Sequence, residues 1–348
     1  MARLQRQAFK LASAPHVKRP KKKAVKARTP LALPPVAVST GAGLWQNLIH
    51  KVAPSRTELL GRLAYSLYRP VGGSMQGLPL VVMLHGCQQT AHEMAMGSRM
   101  NRLADGKGFA VLYPQQTKRV QALRCWRWFQ PDAAHGFAEA DAIADLVRTV
   151  VKRYKLDAGR IYVAGLSAGA GMAGLVVLRH PQLFAAVAMH SGAVLGEAHT
   201  PGGGMRVMRR GTLQDPASLV DPLIDNRNGF AGMPALILHG LRDHLVAPRN
   251  ARQLAQQFVH VNWAVPIGNG GLPVYPLGKA VVMAAGTHRE YQREDFLMGR
   301  KVMVRLCLIK AIGHGWSGGD DKLKFNAREG PKASLLIWQF FVNHRRAP

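Results

Sequence analysis

From residue 63 onward, short continuous apolar runs alternate with stretches of helical periodicity. Residues 63–67, followed by Tyr68, Arg69 and Pro70, predict an early strand that ends in a turn. Leu78-Pro79-Leu80-Val81-Val82-Met83-Leu84 is apolar throughout and closes on His85-Gly86, the pattern of a strand buried on both faces. Apolar positions recur at helical spacing over 91–106, and 109–114 gives another short buried strand. Residues 139–154 are amphipathic, with Ile143, Leu146, Val147, Val150 and Val151 on one face. Strands at 161–164, 185–189, 235–238 and 302–309 follow, with helices at 168–180, 248–261 and 333–342. This alternation predicts an α/β fold, a mostly parallel sheet with helices on both faces. Two stretches break the rhythm: 196–232 reads as an irregular excursion over one rim of the sheet, and 262–287 as a loop before a final hairpin. Internal repeats and a separate second domain are not expected.

Composition changes this picture at one end. The 348 residues are 47% hydrophobic, ample for a sizeable core, and no apolar run approaches the roughly 20 residues of a spanning helix. The formal charge is +28. Ten lysines and arginines and no acid precede residue 30, among Pro20, Pro30, Pro34 and Pro35. Residues 1–43 therefore read as a disordered basic tail and 44–348 as the folded domain. The tail is a solvating extension or a contact for an anionic surface: nucleic acid, anionic lipid or an acidic partner. It lacks the apolar stretch of a secretory signal, which leaves the cytoplasm as the expected location. Cys87, Cys125 and Cys307 allow at most one bridge within the chain, and no pair has zinc-ligand spacing.

The sharpest chemical signal is Gly165-Leu166-Ser167-Ala168-Gly169, between a predicted strand and a predicted helix. A tight strand-to-helix turn of this kind presents a serine hydroxyl beside free helix N–H groups, which makes Ser167 the candidate nucleophile. Serine needs a base to take its proton and an acid to orient that base. Asp243 stands just past the strand 235–238, whereas Asp215, Asp221 and Asp225 have no strand leading to them. Among the later histidines, His314 lies in a glycine-flanked loop directly after a strand, so Asp243 is the candidate acid and His314 the base. Backbone amides of Ala168 and Cys87 are the candidate oxyanion donors. Trp316, Trp126 and Trp128 are candidates for lining the substrate cleft, with core packing as the alternative. The scheme requires no metal, cofactor or obligate protein partner.

Together these residues resemble the poly(3-hydroxybutyrate) depolymerase family of esterases, within the α/β-hydrolase superfamily. The signatures are Leu84-His85-Gly86-Cys87-Gln88-Gln89-Thr90, Arg124-Cys125-Trp126-Arg127-Trp128-Phe129, the Ser167 turn, Met189-His190-Ser191-Gly192 and Gly313-His314-Gly315-Trp316-Ser317-Gly318-Gly319. Two positions depart from the family pattern: Gly136-Phe137-Ala138-Glu139 replaces a glycine-rich turn, and Gly315 stands where alanine is frequent. The resemblance implies an α/β-hydrolase fold and the same Ser167, Asp243 and His314 assignment. It also implies an ester substrate: a hydroxyalkanoate polyester or its oligomers, with acetyl xylan or feruloyl esters as the rival and small esters as the fallback. No appended substrate-binding domain is expected, which disfavours attack on crystalline polymer. Members of the family include secreted proteins, which sets location against the missing signal. Cys87 and Cys125 both fall in its motifs, which leaves a disulfide or two free thiols open. An inactive hydrolase scaffold acting as a basic-tailed binding protein is the alternative of another class, and it predicts a broken triad.

Overall fold

The computed structural model describes residues 41–52, 61–224, 230, 232–263 and 275–346. Of the expected tail, residues 1–40 lie outside the described residues. Residues 41–43 do not behave as a free tail: the Ala42 N–H donates to Asp105 and the Gly43 N–H to the Tyr68 hydroxyl.

Among the described residues ten strands form one sheet: β1 Leu44–Lys51, β2 Arg62–Arg69, β3 Leu80–Leu84, β4 Ala110–Gln115, β5 Ile161–Leu166, β6 Ala186–His190, β7 Ala235–Gly240, β8 Lys279–Met283, β9 Tyr291–Met298 and β10 Lys301–Ile309. Their spatial order is β1-β2-β4-β3-β5-β6-β7-β10-β9-β8. The six strands from β4 to β10 in that order run parallel, and antiparallel strands flank them on both sides. The mostly parallel sheet expected from the alternation is present.

Buried strands alternate their side chains between two cores. Val82, Leu84, Val163, Val187 and Ile237 face one core, with Ile143 and Leu146 of α3 (Gly136–Tyr154), Leu175 of α4 (Ala168–Arg179) and Phe258 of α7 (Arg249–Trp263). Val81, Met83, Tyr162, Ala164 and Leu238 face the other, with Met94 of α1 (Ala91–Ser98), Met100 of α2 (Met100–Lys107) and Phe341 of α8 (Ala333–Phe341). Period-two alternation inside an all-apolar run thus supplies both faces of the sheet.

Four expectations need correction. The helical stretch over 91–106 is two helices, broken at Arg99, whose φ of 55° leaves the helical region. Residues 196–232 are not irregular throughout: α5 (Pro201–Arg210) is capped by Thr200 and α6 (Pro216–Val220) by Asp215. Both start on a cap residue followed by proline, a start signal that the Gly-rich composition obscures. Within 262–287, residues 264–274 lie outside the description, and Lys279–Met283 is a strand rather than loop. Strand β1 was also unforeseen. Its apolar and polar residues mix because it is a half-exposed edge.

Candidate active site

Ser167 stands between β5 and α4 with φ 57° and ψ −119°, a conformation that side-chain-bearing residues rarely adopt. Close backbone approach makes the turn feasible. A Cβ on Gly165 would lie 2.1 Å from the Gly169 carbonyl oxygen, and one on Gly169 would lie 2.1 Å from the Leu84 oxygen of β3. Both positions therefore need glycine. The Ser167 N–H donates to the His190 carbonyl at 2.9 Å, which ties the turn to the end of β6.

Asp243 follows β7 and is buried at 3% exposure. Its Oδ2 accepts from His314 Nδ1 at 2.8 Å, and its Oδ1 accepts the Leu245 and Val246 N–H groups at 3.0 and 2.8 Å. His239 Nε2 lies 3.4 Å from the same Oδ2. Burial works against the charge, but the hydrogen bonds from His239, His314 and the Val246 N–H outweigh it and hold this carboxyl well below the usual carboxylate range. The loops of Asp243 and His314 also meet through backbone: the Arg242 N–H donates to Ile312, and a Cβ on Gly240 would lie 2.4 Å from the Ile312 oxygen.

The structure thus brings Asp243 and His314 into direct contact and sets Ser167 at the same rim of the sheet, where β5, β6, β7 and β10 end side by side. No hydrogen bond between the Ser167 hydroxyl and His314 is present among the described residues. Such bonds commonly tighten only when substrate is bound.

Gly86 borders Ser167: a Cβ there would stand 3.5 Å from the serine Cβ. The Gly86 N–H is taken by Gln89 Oε1 at 2.9 Å. No hydrogen bond from the Cys87 or Ala168 N–H is present among the described residues. Cys87 and Cys125 form a disulfide, so the open question about these thiols resolves to a bridge.

The tryptophan expectation is corrected. Trp316 and Trp126 are 1% exposed and Trp128 is 5% exposed, so all three belong to the core rather than to a cleft wall. Trp316 stacks on His190 and donates to Ser334, Trp126 packs beside His85, and Trp128 presses on Gly171 of α4.

Buried polar residues that the sequence does not single out include His190, His85 and Glu139. His190 is wholly buried, and its Nε2 accepts the Ser317 N–H at 3.2 Å; burial first, then the charges of His239 and His314, lower its pKa to about 3. His85 donates from Nδ1 to the Gly86 oxygen at 2.8 Å and accepts the Gln116 N–H at Nε2 at 3.0 Å; burial lowers its pKa to about 4. Glu139, in the first turn of α3, is 2% exposed. Burial raises its pKa to about 7 against the opposing hydrogen bonds of Arg127 and Gln116. Both histidines sit inside motifs quoted above, so position was available as a signal. Nothing in the local sequence marks Glu139 as buried.

Comparison with known proteins agrees with this architecture. A family model for esterase PHB depolymerase matches residues 63–270. The chain is 34% identical over 191 residues to poly(3-hydroxyalkanoate) depolymerase C of Paucimonas lemoignei, covering 54% of this chain and 46% of that protein. It is 31% identical over 191 residues to feruloyl esterase B of Neurospora crassa, covering 52% of this chain and 64% of that one. The chain therefore spans about half to two thirds of the length of these relatives. Among solved structures, an acetyl xylan esterase from Aspergillus awamori superposes with a TM-score of 0.64 at 18% identity, over 86% of this chain and all of that one, which establishes the α/β-hydrolase fold. With more than half its length under the family model, and the sheet, the turn and the acid–imidazole pair in place, the chain belongs to the esterase PHB depolymerase family.

Proposed function

We propose that this protein is a serine carboxylic-ester hydrolase working through an acyl-enzyme at Ser167. One observation carries the reading: a strained serine at a helix N-terminus shares a rim with an imidazole hydrogen-bonded to a buried carboxylate. Asp243 holds the His314 Nδ1–H, so Nε2 carries the lone pair that takes the Ser167 proton. The serine oxygen attacks the ester carbonyl, and the Cys87 and Ala168 amides stabilise the resulting oxyanion. His314 returns the proton to the departing alcohol. Water, deprotonated by His314, then attacks the acyl-enzyme, and the acid leaves as Ser167 regains its proton.

The substrate class we favour is hydroxyalkanoate polyester or its oligomers, supported by the similarity to a poly(3-hydroxyalkanoate) depolymerase. A carbohydrate esterase is the second reading, supported by the similarity to feruloyl esterase B. Residues 44–348 form the catalytic domain in this proposal. The basic tail contacts an anionic surface, so deleting residues 1–40, which spares the Ala42 and Gly43 contacts to Asp105 and Tyr68, leaves turnover of a soluble ester unchanged and weakens retention on anionic vesicles.

Hydrolysis of p-nitrophenyl butyrate by wild type and Ser167→Ala tests the core claim. A loss of about 10⁴-fold or more is expected, and equal turnover by the two proteins would end it, favouring an inactive scaffold. Hydroxybutyrate oligomers, acetylated xylan and methyl ferulate, assayed side by side, separate the two substrate readings.

A further inference from the structure

Glu139 is the least expected residue near the site. A buried acid normally sits against a cation or is displaced by apolar residues, because removing its charge from water is costly. Here no side-chain cation comes within ion-pair distance of it among the described residues, although the Arg127 charge lies near enough to favour its ionised form. Its two oxygens instead accept from two separate segments: Oε1 from Gln116 Nε2 at 2.8 Å, and Oε2 from the Arg127 N–H at 2.7 Å.

Both segments lead to Cys87. On the first path the Gln116 N–H donates to His85 Nε2, and His85 Nδ1 donates to the Gly86 oxygen, one residue before Cys87. On the second path Arg127 lies two residues after Cys125, whose sulfur is bonded to Cys87. That segment also takes the Gln88 N–H on the Leu123 oxygen at 2.6 Å. The start of α3 is driven against the same turn: a Cβ on Gly136 would lie 2.5 Å from the Arg127 oxygen. One carboxylate therefore closes a ring of hydrogen bonds and a disulfide around a single backbone amide.

We propose that Glu139 is a positioning residue for the oxyanion hole: its carboxylate joins Gln116 to the Arg127 amide and so fixes the direction of the Cys87 N–H. The choice of acid has a chemical reason. Both neighbours are donors, and above about pH 7, where Glu139 is ionised, its carboxylate accepts from both at once, whereas a glutamine offers one acceptor and one donor. Glu139 reaches no reacting atom and acts only through the loop. The inference rests on the esterase reading, since an amide needs aiming only if an oxyanion forms.

The test compares wild type, Glu139→Gln and Glu139→Asp, with p-nitrophenyl butyrate as substrate and an alkyl trifluoromethyl ketone as the oxyanion-forming inhibitor. Complete loss of one oxyanion donor costs roughly 10²–10³-fold in kcat, so a misdirected donor is expected to cost about 10-fold or more. In Glu139→Gln, kcat should fall by that factor with KM within about 2-fold of wild type, and inhibitor affinity should fall in parallel with kcat/KM. Glu139→Asp, which keeps two acceptors, should recover part of both. Should Glu139→Gln not fold, Gln116→Leu cuts one of the two paths and must show the same split. A folded variant with wild-type kcat and inhibitor affinity would overturn the proposal. So would a loss confined to the fraction of titratable active sites. Absence of any Ser167-dependent turnover in wild type would instead remove the esterase reading beneath it.

Discussion

His190 and Ser317 are joined at 3.2 Å by a hydrogen bond from the Ser317 N–H to the imidazole Nε2, while the His190 carbonyl accepts the Ser167 N–H at 2.9 Å. One residue at the end of β6 thus carries both the serine turn and the loop that bears His314. Because Nε2 accepts, the proton sits on Nδ1, which faces the Ser191 hydroxyl at 3.1 Å. Replacing His190 by Phe preserves a ring to stack on Trp316 but strands the buried Ser317 N–H. A destabilisation of about 1–3 kcal/mol follows from an unsatisfied buried donor. Urea unfolding measures it. We expect kcat to fall while the fold is retained, and an unchanged kcat would show that the loop does not depend on this bond.

Asp243→Asn should leave the fold intact and reduce kcat by about 10⁴-fold. Its amide can present a donor to His314 Nδ1, which favours the tautomer with its proton on Nε2, the wrong nitrogen for receiving one from Ser167. Steady-state kinetics at pH 8 checks this. A variant retaining a tenth of wild-type turnover would mean that another group orients the base.

The Cys87–Cys125 bridge spans 38 positions of sequence. Loop-closure entropy for that length gives about 4 kcal/mol of stabilisation, largely through the unfolded chain. Cys125→Ser should lower Tm substantially and reduce kcat as well, because the bridge holds Cys87, whose amide is the proposed oxyanion donor. Thermal melts with and without reductant measure the first effect. Equal Tm values under both conditions in the wild type would show that the bridge contributes nothing to stability.

The pH dependence of stability has a definite sign. His85, His190 and His344 are held neutral by burial, with pKa values lowered from 6.5 to about 4, 3 and 4. Between those values and 6.5 the unfolded chain takes up protons that the folded chain refuses, so stability present above 6.5 is lost as the pH falls. Each net proton is worth about 1.4 kcal/mol per pH unit. Glu139 acts in the opposite sense between 4.5 and about 7, where the unfolded carboxyl ionises before the folded one. Three groups oppose one, so urea midpoints should decrease from pH 6.5 to pH 4.5. A rising midpoint over that window would contradict the burial assigned to these histidines.

Much of this protein was legible from local sequence. All-apolar runs such as 78–84 and 161–164 read as strands of a covered sheet, and strands β3 and β5 form there, while a serine between glycines at a strand-to-helix junction has few structural alternatives. Asp243 and His314 became candidates by the same reasoning, because strand ends in a parallel sheet share one rim, and the structure joins the two by a hydrogen bond. These conclusions rest on backbone geometry, which repeats every two or 3.6 residues and is therefore written along the chain. Tertiary structure alone decided which polar residues are buried and what they touch. Glu139 looks like any acid in a helix's first turn until the fold presses Gly136 against Arg127. Trp126, Trp128 and Trp316 read equally well as cleft or core until the fold packs them on His85, Gly171 and His190 respectively. Burial and hydrogen-bond partners arise between segments as distant as Gln116 and Glu139 or His190 and Ser317, and no local period encodes them.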